Sequence, residues 1–151
     1  MADETSQEIQ VYLCFEPDQQ VCAEKIDSWP CTNSDFGAYA ARLSVEFEST
    51  TADSLKEMLR RQIDDANVTI CVIAGPTFMN PWINWELATS KAGPKRNGLV
   101  GIMLKDYFEP PPAMVNSGAI FVPFKRDAVE RAVAWAIEEE RTSEDYTLQD
   151  E

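Results

Sequence analysis

Histidine is absent from this sequence of 151 residues, and its absence limits the chemistry that the protein can perform. Neither a Ser-His-Asp triad nor an imidazole metal ligand is available. The cysteines form no CxxC pair, and a zinc site built from four of them needs close paired spacing. We therefore predict that the chain binds no metal and carries four reduced, structural thiols: Cys14, Cys22, Cys31 and Cys71.

Basic residues are scarce as well, since 13 Lys and Arg stand against 26 Asp and Glu. A nucleic-acid-binding protein needs a basic face that displaces counterions, and so does a protein that binds an anionic membrane surface. We therefore expect no nucleic-acid partner and no membrane partner. No apolar run is long enough to span a bilayer, and the opening MADETSQEIQ is too polar for a signal peptide, so we expect a cytoplasmic protein.

Several familiar nucleotide and hydrolase motifs are also missing. The chain has no GxxxxGK[ST] phosphate loop, no GxGxxG after its first strand and no GxSxG elbow. The segment VIAGPT lacks the aspartate of a phosphoacceptor domain, and CFEPDQQ is not the phosphate loop of a flavodoxin. P-loop, dinucleotide-oxidoreductase, α/β-hydrolase and flavodoxin functions are therefore disfavoured.

Strands and helices alternate along the chain. Runs rich in β-branched and aromatic residues predict strands, and the nearly continuous apolar run of the third is typical of a strand covered on both faces. Such alternation predicts an α/β fold with a doubly wound, five-stranded parallel sheet. The predicted strands are Ile9–Phe15, one near Phe36–Ala40, Val68–Ala74, Gly98–Leu104 and Ala119–Phe124.

Apolar spacing and capping residues predict the helices. Thr50 or Thr51 is expected to cap a helix that reaches about Ala66, and Asn80 with Pro81 to open the next one. The last helix is predicted from Arg126 to about Glu140. The apolar stripes that should face the core are Val21, Cys22, Ile26 and Trp29 in the first helix, and Leu55, Met58, Leu59 and Ile63 in the second.

Ligands of doubly wound sheets bind at the carboxyl ends of the strands. The helix that opens at Pro81 starts there, and within it Trp82 and Glu86 share a face beside the apolar stripe of Ile83 and Leu87. This spacing predicts that Glu86 lies at the border of the core. Taken alone, this spacing favours an ordinary solvated helix acid.

The segment LRRQIDDANVTICVIAGPTFMNPWINWELATSKA, preceded by CF and an acidic EPD, resembles the TIR-like domains of the Thoeris antiphage type. The resemblance covers about residues 9 to 105. It implies a flavodoxin-like or TIR-like fold with helices on both faces of the sheet. The matching residues are Phe15, Ile63, Ala66, Ile70, Gly75, Thr77, Trp82, Trp85, Glu86 and Ala88.

The resemblance implies an enzyme that consumes NAD as its substrate and needs no further cofactor. Its products would be nicotinamide and an ADP-ribose-derived signal for an effector protein, and the enzyme would form a homo-oligomer on activation. The alternative is a TIR-like scaffold that binds other proteins and turns over nothing. The predicted domain is residues 9–140, between a polar arm at 1–8 and an acidic, disordered tail at 141–151.

By the same resemblance, the glutamate of the WE pair, Glu86, is the catalytic residue. Cleavage of the nicotinamide–ribose bond passes through a cationic sugar, which a fixed carboxylate stabilises. Several of the remaining candidates for substrate binding also have a structural interpretation. Phe15 would be a core aromatic residue, Asp18 a solvated surface acid and Trp82 a packing residue. Cys14 stands where the family has a serine. The candidates are Phe15, Cys14, Asp18, Gly75, Thr77 and Trp82.

Overall fold

A parallel β-sheet forms the centre of the protein. The computed structural model describes residues 10–29, 47–92, 97–115, 117–138 and 146–147. Every neighbouring pair of strands is parallel, and the strands follow one another across the sheet in chain order. The four main strands are β1 (Val11–Cys14), β2 (Val68–Ile73), β3 (Gly98–Met103) and β4 (Ile120–Pro123).

These four strands confirm four of the five that the sequence predicts, and the predicted adjacency of β1 and β2 is also confirmed. The remaining predicted strand, near residues 36–40, lies outside the described residues. A two-residue strand, β5 (Tyr146–Thr147), pairs with β4 at the edge of the sheet. For these two residues the predicted disordered tail is wrong, because they form hydrogen-bonded sheet structure.

The described residues include four α-helices beside the sheet, and the third begins as the sequence predicts. The second begins one or two residues earlier than expected, because its N-cap is Ser49 and not Thr50 or Thr51. The Ser49 side chain accepts a hydrogen bond from the Ala52 amide. Within the described residues no helix is both long and apolar enough to cross a membrane. The helices are α1 (Gln20–Asp27), α2 (Thr50–Asp65), α3 (Pro81–Ala92) and α4 (Arg126–Glu138).

Helices cover both faces of the sheet. Thr69 of β2 hydrogen-bonds to Ser90 of α3, so α3 lies on the face to which Thr69 points. Successive strand residues point to opposite faces, and Gly98 pairs with Val68, the residue before Thr69. A Cβ added at Gly98 would lie 2.7 Å from Ala136 of α4. The helix α4 therefore packs on the face opposite α3.

Burial confirms most of the predicted apolar stripes. Leu59 and Ile63 of α2 and Ile83 and Leu87 of α3 are all within the core. The stripe predicted for α1 is partly wrong, because Val21 is 77 % exposed. The short α1 turns a different face inward, and the residues that it and the following turn bury are Ala23, Ile26 and Trp29.

Candidate functional site

The carboxyl ends of β1 and β2 are joined by the side chain of Glu16. Its Oε1 accepts a hydrogen bond of 2.8 Å from the Thr77 hydroxyl, and its Oε2 accepts one of 3.3 Å from the Asn80 amide group. The Thr77 hydroxyl in turn accepts a 2.8 Å bond from the Ala74 backbone amide. Glu16 thus holds the loop between β2 and α3 against the end of β1.

Asn80 sets the start of α3. Its Oδ1 accepts a 3.1 Å hydrogen bond from the Ile83 amide, which is the N-cap interaction that the sequence predicts. The Asn80 carbonyl accepts a 3.0 Å bond from the Asn84 amide, and the Asn84 side chain donates to the Phe78 carbonyl. The first turn of α3 is therefore fixed relative to the strand ends, and Glu86 follows in the second turn.

Glu86 lies deeper than the sequence predicts. Its side chain is buried with 0 % of its surface exposed, so its prediction as a border residue is wrong. Its Oε2 accepts a 2.7 Å hydrogen bond from the hydroxyl of Tyr12, which is 4 % exposed and lies on β1. The reason is tertiary: β1 supplies a hydrogen-bond donor to one oxygen of the buried carboxylate.

The backbone of Glu86 is also tied to the sheet. Ser90 Oγ donates a 2.9 Å hydrogen bond to the Glu86 carbonyl and lies 2.7 Å from the Thr69 hydroxyl of β2. Asn97 donates to the same Thr69 oxygen at 3.3 Å and to the Ile63 carbonyl of α2 at 2.8 Å. These buried hydrogen bonds join α3 to β2 and to the end of α2.

The two tryptophans of α3 take part in packing against α2. The Trp82 ring makes edge-to-face contacts with Phe47 at 5.1 Å and with Trp85 at 6.0 Å. From α2, Lys56 Nζ lies 5.9 Å from the centre of the Trp82 ring, and the Arg60 guanidinium lies 5.5 Å from that of Trp85. These contacts assign both tryptophans to the α2–α3 interface. A part for Trp82 in substrate binding stays a prediction.

The other candidates lie near the ends of β1 and β2 and differ in how deeply they are buried. Cys14 is the last residue of β1 and Phe15 follows it. Neither has exposed surface, and Thr77 is also buried. Gly75 is partly exposed in the turn after β2, whereas Asp18 is exposed in the 3-10 turn that precedes α1. The structure brings Thr77 next to Glu16. Substrate binding by these five residues stays a prediction.

Chemically, this arrangement offers fixed carboxylates. A buried carboxylate acts in a medium of low dielectric constant, where its charge interacts strongly with a nearby cation. The thiol of Cys22 is a poor nucleophile at neutral pH, because burial raises its pKa, although Lys25 partly opposes this. Among the described residues, no group of Cys, Asp and Glu could hold a metal ion.

A surface pocket of about 460 Å³ lies near the start of α3. Phe78, which precedes α3, forms one wall, and the proline-rich loop after β3 forms the rest. None of the residues predicted for the site lines this pocket. Its lining residues are Phe78, Glu109, Pro110, Pro112 and Val115.

Sequence reasoning missed Tyr12 and Glu16. Glu16 carried a usable signal, because an acid directly after a buried strand lies at the carboxyl edge of a parallel sheet. Tyr12 carried none, because an aromatic residue within a buried strand usually packs in the core, and its partner lies 74 positions later in the chain.

Comparison with known proteins is consistent with this architecture. The family model described as Thoeris protein ThsB, TIR-like domain, matches residues 12–107. That range begins at Tyr12, the second residue of β1, and includes β2, β3 and the whole of α3. No curated protein sequence matches the chain at a significant level.

Proposed function

Because the chain belongs to the Thoeris ThsB family of TIR-like domains, we propose that it cleaves NAD during antiphage defence, with Glu86 as the catalytic residue. Family membership implies the defence role, and the observation that carries the proposed chemistry is the carboxylate of Glu86. This group is fixed by Tyr12 in a medium of low dielectric constant. We further propose a cytoplasmic enzyme whose product is read by an effector protein.

The reaction requires little besides a positioned negative charge. The bond between the ribose C1′ and the nicotinamide nitrogen breaks, and its electron pair leaves with neutral nicotinamide. The remaining sugar carries positive charge, which the Glu86 carboxylate stabilises by electrostatic attraction. Water, or another nucleophile of the same nucleotide, then bonds to C1′ and loses a proton. The products are nicotinamide and linear or cyclic ADP-ribose.

A second candidate, the non-catalytic scaffold, is favoured by one observation. Glu86 has no exposed surface, so NAD reaches its carboxylate only if the surroundings of α3 rearrange. A scaffold would use the same carboxylate to join α3 to β1 and would need no such change. The two functions differ in whether removing the charge of Glu86 changes turnover or only stability.

The test is nicotinamide release from NAD, followed by chromatography, on protein first shown to be active in an activated assembly or an infected-cell extract. Glu86→Gln should lower release by at least about a hundredfold, the cost of losing one electrostatic stabiliser. Glu57→Gln, on the exposed side of α2, is the control and should retain full turnover. Full turnover by folded Glu86→Gln protein would refute the proposed chemistry.

A further inference from the structure

Tyr12 is a buried polar residue to which the proposed reaction assigns no role. It lies on β1, its side chain points to the face covered by α3, and its hydroxyl is 2.7 Å from Glu86 Oε2. A buried tyrosine hydroxyl generally has a hydrogen-bond partner, and a backbone carbonyl would satisfy it equally well. Here the partner is the carboxylate to which the family resemblance assigns the chemistry.

The bond has the properties of a positioning contact. A hydroxyl that donates to an ionised carboxylate makes a shorter and stronger bond than one between neutral groups. Burial strengthens it further, because little water competes for either partner. A glutamate side chain has three rotatable bonds, so this contact restricts the direction in which the carboxylate points.

Two neighbouring residues of the sheet, Tyr12 and Thr69, hold Glu86 at its side chain and, through Ser90, at its backbone. Its carboxylate is bound by Tyr12, and its carbonyl is bound by Ser90, which lies 2.7 Å from Thr69. Tyr12 and Thr69 are register partners on the neighbouring strands β1 and β2. This pair of residues therefore positions both the side chain and the backbone of Glu86.

We propose that Tyr12 is a positioning residue for Glu86, and this inference rests on the proposed NAD-cleaving function. Its phenol orients the carboxylate so that the negative charge meets the ribose as positive charge develops at C1′. Small displacements of a catalytic group reduce rates strongly, whereas substrate contacts elsewhere are unaffected. Loss of the phenol should therefore reduce kcat and leave KM unchanged.

The other interpretation is that Tyr12 serves folding alone. Both interpretations predict some loss of stability in Tyr12→Phe, so stability does not separate them. The two interpretations differ in the effect on turnover that they predict for Tyr12→Phe in a protein that already carries Glu86→Gln. If Tyr12 acts through the charge of Glu86, removing its hydroxyl has no further effect on turnover once Glu86→Gln has removed that charge. A structural role would lower turnover by the same factor in both backgrounds.

The experiment measures kcat and KM for nicotinamide release by five full-length proteins. These are the wild type, Tyr12→Phe, Glu86→Gln, the double variant and the control Tyr107→Phe, whose tyrosine is 74 % exposed. Tyr12→Phe should lower kcat about 10- to 100-fold, the scale expected for misplacing a catalytic group. KM should stay within about twofold of the wild-type value, since the contacts that hold NAD before the reaction are unchanged. The double variant should match Glu86→Gln, and Tyr107→Phe should match the wild type.

Three results would overturn the inference while leaving the proposed function intact. They are unchanged kcat in folded Tyr12→Phe, equal losses from Tyr12→Phe in both backgrounds, and failure of Tyr12→Phe to fold, which would assign the hydroxyl to folding. If instead the wild type releases no nicotinamide when activated, or Glu86→Gln keeps full turnover, the proposed function fails. The positioning role of Tyr12 then fails with it.

Discussion

The carboxylate of Glu16 lies 2.8 Å from the hydroxyl of Thr77, which is 61 positions later in the chain. This bond joins the carboxyl end of β1 to the turn after β2, where a doubly wound sheet places its ligand site. Glu16 also accepts a bond from Asn80, the residue that caps α3. One side chain therefore connects β1 to the start of the helix that carries Glu86.

Replacing Glu16 by glutamine should weaken this connection. Glutamine has one acceptor oxygen where glutamate has two, so its NH₂ group would face either the Thr77 hydroxyl or the Asn80 amide. We expect Glu16→Gln to lower the free energy of unfolding by about 0.5–1.5 kcal/mol, the usual net value of a hydrogen bond. Urea unfolding followed by circular dichroism measures this change.

The matched control is Glu24→Gln. Glu24 is an exposed residue of α1 whose carboxylate accepts a bond from Gln20 at the surface. Its replacement should change the free energy of unfolding by less than about 0.5 kcal/mol, as for most surface substitutions. Equal effects of Glu16→Gln and Glu24→Gln would show that the Glu16 contacts contribute nothing to stability.

Asn80 combines two roles that substitutions can separate. Asn80→Ala removes both the cap of α3 and the donor to Glu16, and should cost about 0.5–2 kcal/mol of stability, the range for losing a cap. Asn80→Ser retains a capping oxygen but is too short to carry the amide donor, so it should cost less. If Asn80→Ser is as destabilising as Asn80→Ala, the cap is not the main contribution of this residue.

Asn80 and Glu16 illustrate what the sequence can and cannot predict. Asn80, Pro81 and Ile83 are close in the chain, so the cap could be predicted from local spacing alone. The Glu16–Thr77 bond could not, because it depends on the register of two strands. The burial of Glu86 likewise depends on Tyr12, a distant residue of β1. Helical spacing located the correct face of α3 but not the strand residue that covers it.

Leu59 tests the packing of α2. It has no exposed surface and belongs to the hydrophobic core, so Leu59→Ala should lower the free energy of unfolding by about 2–5 kcal/mol. Val21→Ala is the control and should cost less than about 0.5 kcal/mol, because Val21 is largely exposed. Chemical denaturation of both variants compares them, and a small effect at Leu59 would contradict the observed packing of α2.

The exposure of Val21 shows that the buried face of α1 was predicted less well than that of α2. The helix α1 has only eight residues, so several apolar faces fit its pattern almost equally. The longer α2 has 16 residues, and its apolar stripe defines one face clearly. The strand β2 was recognised because a parallel strand covered on both faces must be apolar at nearly every position.

Gly98 lies at a close contact between β3 and α4. A Cβ at this position would lie 2.7 Å from both the Cβ and the carbonyl oxygen of Ala136, and the backbone oxygen cannot move without shifting the helix. Gly98→Ala should therefore destabilise the protein by about 1–3 kcal/mol, as overpacking does. Thermal unfolding measures the loss, and a stability equal to that of the wild type would contradict this packing.

Gly75→Ala is the matched control for Gly98. Its added Cβ would meet the Phe108 ring at 3.6 Å, an ordinary van der Waals contact, so we expect a stability change within about 0.5 kcal/mol. Gly75 is also a candidate for substrate binding. A fall in NAD turnover without a fall in stability would support that role, whereas unchanged turnover would remove Gly75 from the site.

Glu86→Gln should separate a role in chemistry from a role in folding. Glutamine retains an oxygen that can accept the Tyr12 hydrogen bond and fills nearly the same volume, while it removes the buried charge. If Glu86 is catalytic, the variant should therefore unfold within about 1 kcal/mol of the wild type, although it has lost turnover. NAD should still raise the melting temperature of the variant, because binding to the native state alone stabilises it by mass action. Calorimetry with and without NAD measures both effects. If the protein is a scaffold that binds no NAD, neither the variant nor the wild type should show an NAD-dependent shift.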